Sequence, residues 1–236
     1  MRRLAFMTAP HWLVLYAGLL VAWVFVWSMS TDVSWGTLIR DICVTPVATA
    51  GWFGAFAMWV VMAAAMILPT ALPSLATYDQ LARLQFTGGG GLLVLGYGIV
   101  WVVFAAMAAT AQMVSSQLGV DQAPWFAAAL LAAAGAYQFS PLKAACLTRC
   151  RQPMTFFMQY WNIGPLKMGM LMGETCLGCC WALMALGLIG GMMSLGFMAL
   201  ATVLMVAEKL TRGPGLTRAI GIACFGASGF LLGGMI

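Results

Sequence analysis

Residues 175–207, TCLGCCWALMALGLIGGMMSLGFMALATVLMVA, run for 33 positions without a charged side chain. A helix crosses the hydrocarbon core of a bilayer in about 20 apolar residues, so this run is either one strongly tilted helix or two short ones. Gly190-Gly191-Met192-Met193-Ser194 predicts two, because a glycine pair ends one helix and Ser194 caps the next. Five more uncharged apolar runs occupy residues 12–29, 51–72, 91–113, 124–142 and 219–236. Of the 236 residues, 63% are hydrophobic and 7% charged, which excludes a soluble fold: too much apolar surface would face water. Lipid accepts that surface and requires backbone groups to bond internally, as they do in helices. The expectation is an all-α polytopic transmembrane bundle with seven spans, or six if 175–207 is one helix. It forms a single domain over 1–236, with an interfacial loop and a short amphipathic helix over 143–167.

Charge placement supports the larger count, since Lys and Arg gather in short cytoplasmic loops. With the N-terminus inside and seven spans, Arg2, Arg3, Arg83, Lys143, Arg149, Arg151, Lys167, Lys209, Arg212 and Arg218 face the cytoplasm and Arg40 alone lies outside. The predicted location is a bacterial inner membrane, with lipid as one partner and the C-terminus outside. Topology accounts for the net charge of +5, and no nucleic acid is called for. Arg2-Arg3 before an apolar stretch resembles a secretion signal. Trp12, Trp23 and Trp27 and the lack of an Ala-x-Ala site predict a retained helix instead.

The chemistry sits at the start of the longest run, where Cys176, Cys179 and Cys180 fall within five residues. Bilayer packing has no need of three oxidisable thiols, because Leu, Ala and Gly fill a helix interface equally well. The predicted topology brings other sulfur to the same inner depth. Cys146 and Cys150 share a helical face at a spacing of four, as do Met62 and Met66 above Pro69, where the helix is expected to break. Met168, Met172, Cys176, Cys180 and Met184 do not form a continuous ladder, because each step of four overshoots a turn by about 40°. Local Cys176 pairs facing Cys146 and Cys150 are the expected site, with Gly169, Gly173 and Gly178 permitting close helix approach. Cys43 and Cys224 have no partner in sequence and read as structural.

Ligand softness narrows the ion. One histidine, His11, and six carboxylates in the chain disfavour Cys-and-His zinc and hard-ion sites. Seven Cys and 19 Met favour Cu(I), with a four-thiolate zinc or an iron–sulfur site as weaker alternatives, although most Met must be ordinary core residues.

Several motifs together resemble a bacterial family of predicted metal-binding integral membrane proteins, a domain of unknown function. They are Trp59…Ala65-Met66-Ile67-Leu68-Pro69, Gly96-Tyr97…Trp101, Gly135-Ala136-Tyr137-Gln138-Phe139-Ser140-Pro141-Leu142-Lys143…Cys146…Cys150-Arg151-Gln152-Pro153, and Cys176-Leu177-Gly178-Cys179-Cys180-Trp181…Glu208-Lys209. The resemblance implies a helical membrane fold and a metal site at the cysteine motif. It also implies Arg-His before Gly173, where this chain has Leu171-Met172; a thioether in place of that imidazole favours Cu(I) over zinc.

Other polar positions have bland readings. Glu174 compensates a helix dipole, Lys143 snorkels or lowers the Cys146 thiol pKa, and Tyr137 and Gln138 bond between helices. Gly88–Gly91 is a flexible connection with no phosphate-loop Lys after it. Met154–Trp161 is an interfacial helix with aromatics at headgroup level, or a docking surface.

Three functions fit. The first holds Cu(I) near the inner face and passes it to a metal-receiving enzyme or across the bilayer. The second is a non-catalytic accessory or assembly subunit of a larger membrane complex. The third is a membrane thiol–disulfide oxidoreductase, which the reducing cytoplasmic side disfavours. No Ser-His-Asp set, carboxylate pair or nucleotide motif is present, and the chain is expected not to be an enzyme.

Overall fold

The computed structural model describes residues 17–24, 27, 47–84, 89–120, 123–188, 195–211 and 213–234. Regular structure among the described residues is helical, with α1 Val47–Leu84, α2 Gly90–Gln117, α3 Pro124–Gln138, α4 Pro141–Arg151 and α5 Pro153–Tyr160. After a 3₁₀ turn at Trp161–Ile163 follow α6 Pro165–Ala185, extended by a 3₁₀ turn at Leu186–Leu188, then α7 Leu195–Leu210 and α8 Gly215–Gly233. Four stretches are long and apolar enough to cross a membrane: Gly51–Leu84, Gly90–Gln117, Pro165–Leu188 and Gly215–Gly233. The seven-span expectation is therefore met only in part. Helices α3 and α7 have 15 and 16 residues, and half of the run at 12–29 lies within the described residues, where 17–24 is helical.

Proline opens α3, α4, α5 and α6, where its missing N–H costs nothing and its fixed φ suits a first helical turn. Inside α1 proline acts differently. The sequence predicts a break at Pro69, yet α1 continues through Pro69 and Pro73 to Leu84. Pro69 cannot donate to the Ala65 carbonyl four residues back, and the Trp23 indole Nε1 donates to that oxygen at 3.0 Å instead. Satisfying the freed carbonyl from another helix carries α1 through Pro69, whereas Gly51 near its start, at φ 63°, kinks it. At 1.5 Å per residue its 34-residue span measures about 51 Å and outruns a hydrocarbon core of about 30 Å.

Two further boundaries differ from expectation. Gly90 and Gly91 form the first turn of α2 after Gly89 at φ 119°, so only the remainder of the predicted connection precedes the helix, and Gly88 lies outside the described residues. The fourth apolar run ends early at Gln138. Ser140 then caps α4, its Oγ accepting from the Lys143 backbone N–H at 3.1 Å. The 175–207 run divides between α6 and α7 as predicted, although the glycine turn at 190–194 lies outside the described residues. Helix α6 also starts ten residues before the run. Gly187 lies against Phe197 while Cys176 meets Lys209, so α7 runs back along α6.

Glycine sets the closest crossing. A Cβ at Gly96 of α2 would collide with the Leu166 carbonyl oxygen, and one at Gly169 of α6 with the Leu93 carbonyl oxygen. The backbones meet directly, as small residues allow within membranes. In α5, Phe156 and Phe157 turn inward, and the Tyr78 ring lies 5.5 Å from both Phe157 and Trp161. Phe156, Phe157 and Tyr78 are core residues, Trp161 packs partly buried against the core, and α5 exposes Met154 and Met158.

Lys143 does not snorkel. It is 1% exposed and donates at 2.9 Å to Glu208 of α7, itself 2% exposed. The Arg151 guanidinium donates to the Glu208 carbonyl from Nε at 3.1 Å and Nη2 at 2.8 Å, and to the Gly213 carbonyl at 3.1 Å. The Glu208 carbonyl, one of those left open at the end of α7, is thereby satisfied.

Two stability measurements check this packing. Thermal unfolding in detergent should show Gly169→Ala destabilised by about 1–3 kcal/mol, because a carbonyl must move. Gly98→Ala, whose Cβ meets nothing within 4 Å, should show no loss. Lys143→Met should cost about 3–5 kcal/mol by stranding a buried carboxylate. Adding Glu208→Leu should restore most of it.

Candidate metal centre

The i, i+3, i+4 spacing of Cys176, Cys179 and Cys180 on α6 puts their thiols on one face, and their Sγ atoms lie within 4.8 Å of one another in the buried core. The Cys179 and Cys180 thiols each donate to the Cys176 carbonyl at 3.0 Å. The apolar run suggested that these thiols stand at the mouth of a span. They stand near the middle of Pro165–Leu188, because the helix continues through exposed Lys167 and Glu174. Glu174 is consequently beyond the first turn and does not compensate the helix dipole there.

Helix α4 supplies a fourth thiol. Cys150 Sγ lies 3.8 Å from Cys179 Sγ. One turn earlier, Cys146 packs on Gly178, where a Cβ would come within 2.6 Å of its sulfur. The Tyr137 hydroxyl donates to the Gly178 carbonyl, and its ring meets Trp181 edge-on at 4.9 Å. Tyr137 thus bonds between helices as expected, whereas both side-chain polar atoms of Gln138 are buried without a partner among the described residues.

Two groups approach Cys176 from other helices. The Tyr97 hydroxyl of α2 donates to its Sγ at 3.2 Å, and the Lys209 ammonium of α7 does so at 3.2 Å while reaching the Thr70 carbonyl at 3.5 Å. Both residues belong to the sequence motifs, but the sequence showed Lys209 only as a topology charge and gave Tyr97 no role. A cavity of about 20 Å³, room for little more than one water-sized centre, borders Cys176, Cys150, Met172, Lys209, Thr70 and Arg149.

The predicted ligands therefore separate. Cys150, Cys176, Cys179 and Cys180 converge, Met172 lines the adjoining cavity, and Cys146 is held one turn away. Met62 packs against Gly187, eleven residues beyond Cys176 and about 16 Å along α6. Met66 is fully buried and does not line the cavity. Cys224 is buried in α8, and Cys43 lies outside the described residues.

The donor set fits a soft ion. A metal–thiolate bond of about 2.3 Å, as zinc makes, places the sulfurs of a trigonal set about 4.0 Å apart. The observed separations need only small rotamer adjustments to match. On α4, hydrogen bonding with Cys176 and Cys179, reinforced by burial, holds the Cys150 thiol well above its usual pKa. Burial first, then the neighbouring Cys179, raises Cys146. These thiols keep their protons until a metal displaces them.

Neither a curated protein nor a solved structure matches the chain. A family model does, and it takes in every thiol of the centre. The match to PpoB2, described as a copper chaperone, runs over residues 56–231, most of the chain, and the chain belongs to that family.

Proposed function

We propose that this chain is an integral membrane protein that holds Cu(I) as cargo on Cys176, Cys179, Cys180 and Cys150 and delivers it to a protein acceptor. One observation carries the reading: four thiols from two helices converge inside an apolar bundle that offers a hard ion few oxygen ligands. Cys146 and Met172 stand beside the set as further soft donors, Met66 is buried outside the cavity lining, and Met62 is more remote. Copper is carried and not transformed, so the chain is not an enzyme. The reading keeps seven spans with the N-terminus inside, the short α3 and α7 being accommodated by local bilayer thinning. It places Arg149, Arg151 and Lys167 at the cytoplasmic side, where the acceptor, a copper enzyme or membrane complex, would dock.

Delivery follows from unequal ligands. Cys176, Cys179 and Cys180 are fixed on one long helix, whereas Cys150 is half-buried near the end of the 11-residue α4. A ligand from an acceptor replaces Cys150 first, and the ion then leaves one bond at a time.

Anaerobic titration of the purified protein against a chromophoric Cu(I) chelator should give one Cu(I) per chain. Cys176→Ser and Cys179→Ser should each weaken binding at least 100-fold, and Cys224→Ser should leave it unchanged. Affinity should rise with pH, because loading must expel the Cys150 proton, which is held above its usual range. Stoichiometric zinc with no Cu(I) uptake would refute the copper assignment.

A further inference from the structure

We infer that Lys209 is the charge-selectivity residue of the centre, its fixed ammonium favouring a monovalent over a divalent ion on the Cys176 thiol set. The inference rests on the copper reading above and adds what the donor atoms leave open, since thiolates alone accept Zn²⁺ as well as Cu(I).

The geometry is direct. Lys209 Nζ lies 3.2 Å from Cys176 Sγ. An ion bonded to that sulfur at about 2.3 Å sits no more than about 5.5 Å from the ammonium. Repulsion at that distance scales with the charge of the ion, so a divalent ion meets twice the opposition of a monovalent one. Cys176 is buried and Lys209 is half-buried, so water screens the repulsion only in part. The neighbouring carboxylate does not cancel the charge, because Glu208 is turned to Lys143 at 2.9 Å. Arg149 is the second cation lining the cavity, and no carboxylate lines it. Glu174, although two residues from Cys176, is exposed.

Packing holds the ammonium in place. Its other contact is the Thr70 carbonyl of α1 at 3.5 Å, so Lys209 bridges α1 and α6 across the cavity. An incoming ion cannot push it into solvent without breaking that bridge.

Removing the charge should relieve a divalent ion twice as much as a monovalent one, so the measurable quantity is the ratio of affinities. The experiment is anaerobic chelator competition on the full chain in detergent at one pH, with Cu(I) and Zn²⁺ measured separately. It compares wild type, Lys209→Met, Lys209→Gln, Lys209→Arg and Lys167→Met, the last an exposed cation outside the centre. Lys209→Met should lower the Cu(I)-to-Zn²⁺ affinity ratio tenfold or more. Lys209→Gln, which keeps a hydrogen-bond donor, should do the same and serves if the Met variant does not fold. Lys209→Arg and Lys167→Met should keep the ratio within about threefold of wild type, as retained local charge and a remote screened charge require. Equal changes in both affinities on neutralisation, or a Lys209→Arg ratio that follows Lys209→Met, would overturn the inference. A wild type that takes up Cu(I) with an unmoved ratio in the variants sinks this inference alone; a wild type that takes up none sinks the copper reading first.

Discussion

The Lys143–Glu208 ion pair is the constraint from which the centre's geometry follows. Two charges exposed at 1% and 2% are costly to bury singly, so α4 and α7 must arrive together for either to be tolerated. Once paired, they fix register. Cys150 lies two turns beyond Lys143 on α4, and Lys209 follows Glu208 on α7, so one contact delivers a thiol and an ammonium to the same helix face. Arg151 locks the arrangement by binding the Glu208 carbonyl near the end of α7. The pair need contribute no net stability to do this, since a well-packed apolar pair of similar volume can be as stable. An apolar pair would lack the directional bonds that set which turn of α4 faces which turn of α7.

The rest of the positioning is done by missing side chains. Gly169 and Gly173 let α2 press against α6, which carries the Tyr97 hydroxyl to Cys176. Gly178, on another face, admits Cys146 and exposes the carbonyl that Tyr137 binds. On the membrane reading, apolar packing gives little preference for one helix neighbour over another. Close backbone approach and hydrogen bonds then decide the register. The thiols of α6 are thus surrounded by contacts specified at its glycines.

Composition and run length made the helical class legible in the sequence, and cysteine spacing made the α6 thiols and the approach of Cys150 legible. Helix ends were not. Run length treats Lys167 and Glu174 as a boundary, but exposed charges continue a helix without penalty, and so the thiols moved from the mouth of α6 to its middle. Pro69 was read as a break because the donor that replaces its lost bond, Trp23, lies 42 residues away in sequence at the Ala65 carbonyl. Met62 and Met66 share a face by spacing, yet spacing says nothing of depth along the opposing helix, and Met62 meets Gly187 instead of the cysteines. Lys143 and Lys209 were read as topology charges, since a positive-inside count does not distinguish a snorkelling lysine from one with a buried partner.

Burial also constrains how such a centre exchanges its cargo. The cavity beside Cys176 has room for about one water-sized centre, so an acceptor side chain cannot enter it as the bundle stands. On the copper reading, exchange must therefore begin at a ligand that is not fully buried, and Cys150 meets that condition while Cys176, Cys179 and Cys180 do not. The segment carrying Cys150 is suited to yielding: α4 ends at Arg151, Gln152 leaves helical geometry, and Pro153 opens a separate short helix. Displacing that corner opposes the Arg151 bonds to α7 but leaves the three thiols of α6 in place. Rigid ligands on the long helix retain the ion, and the short helix supplies the one that gives way.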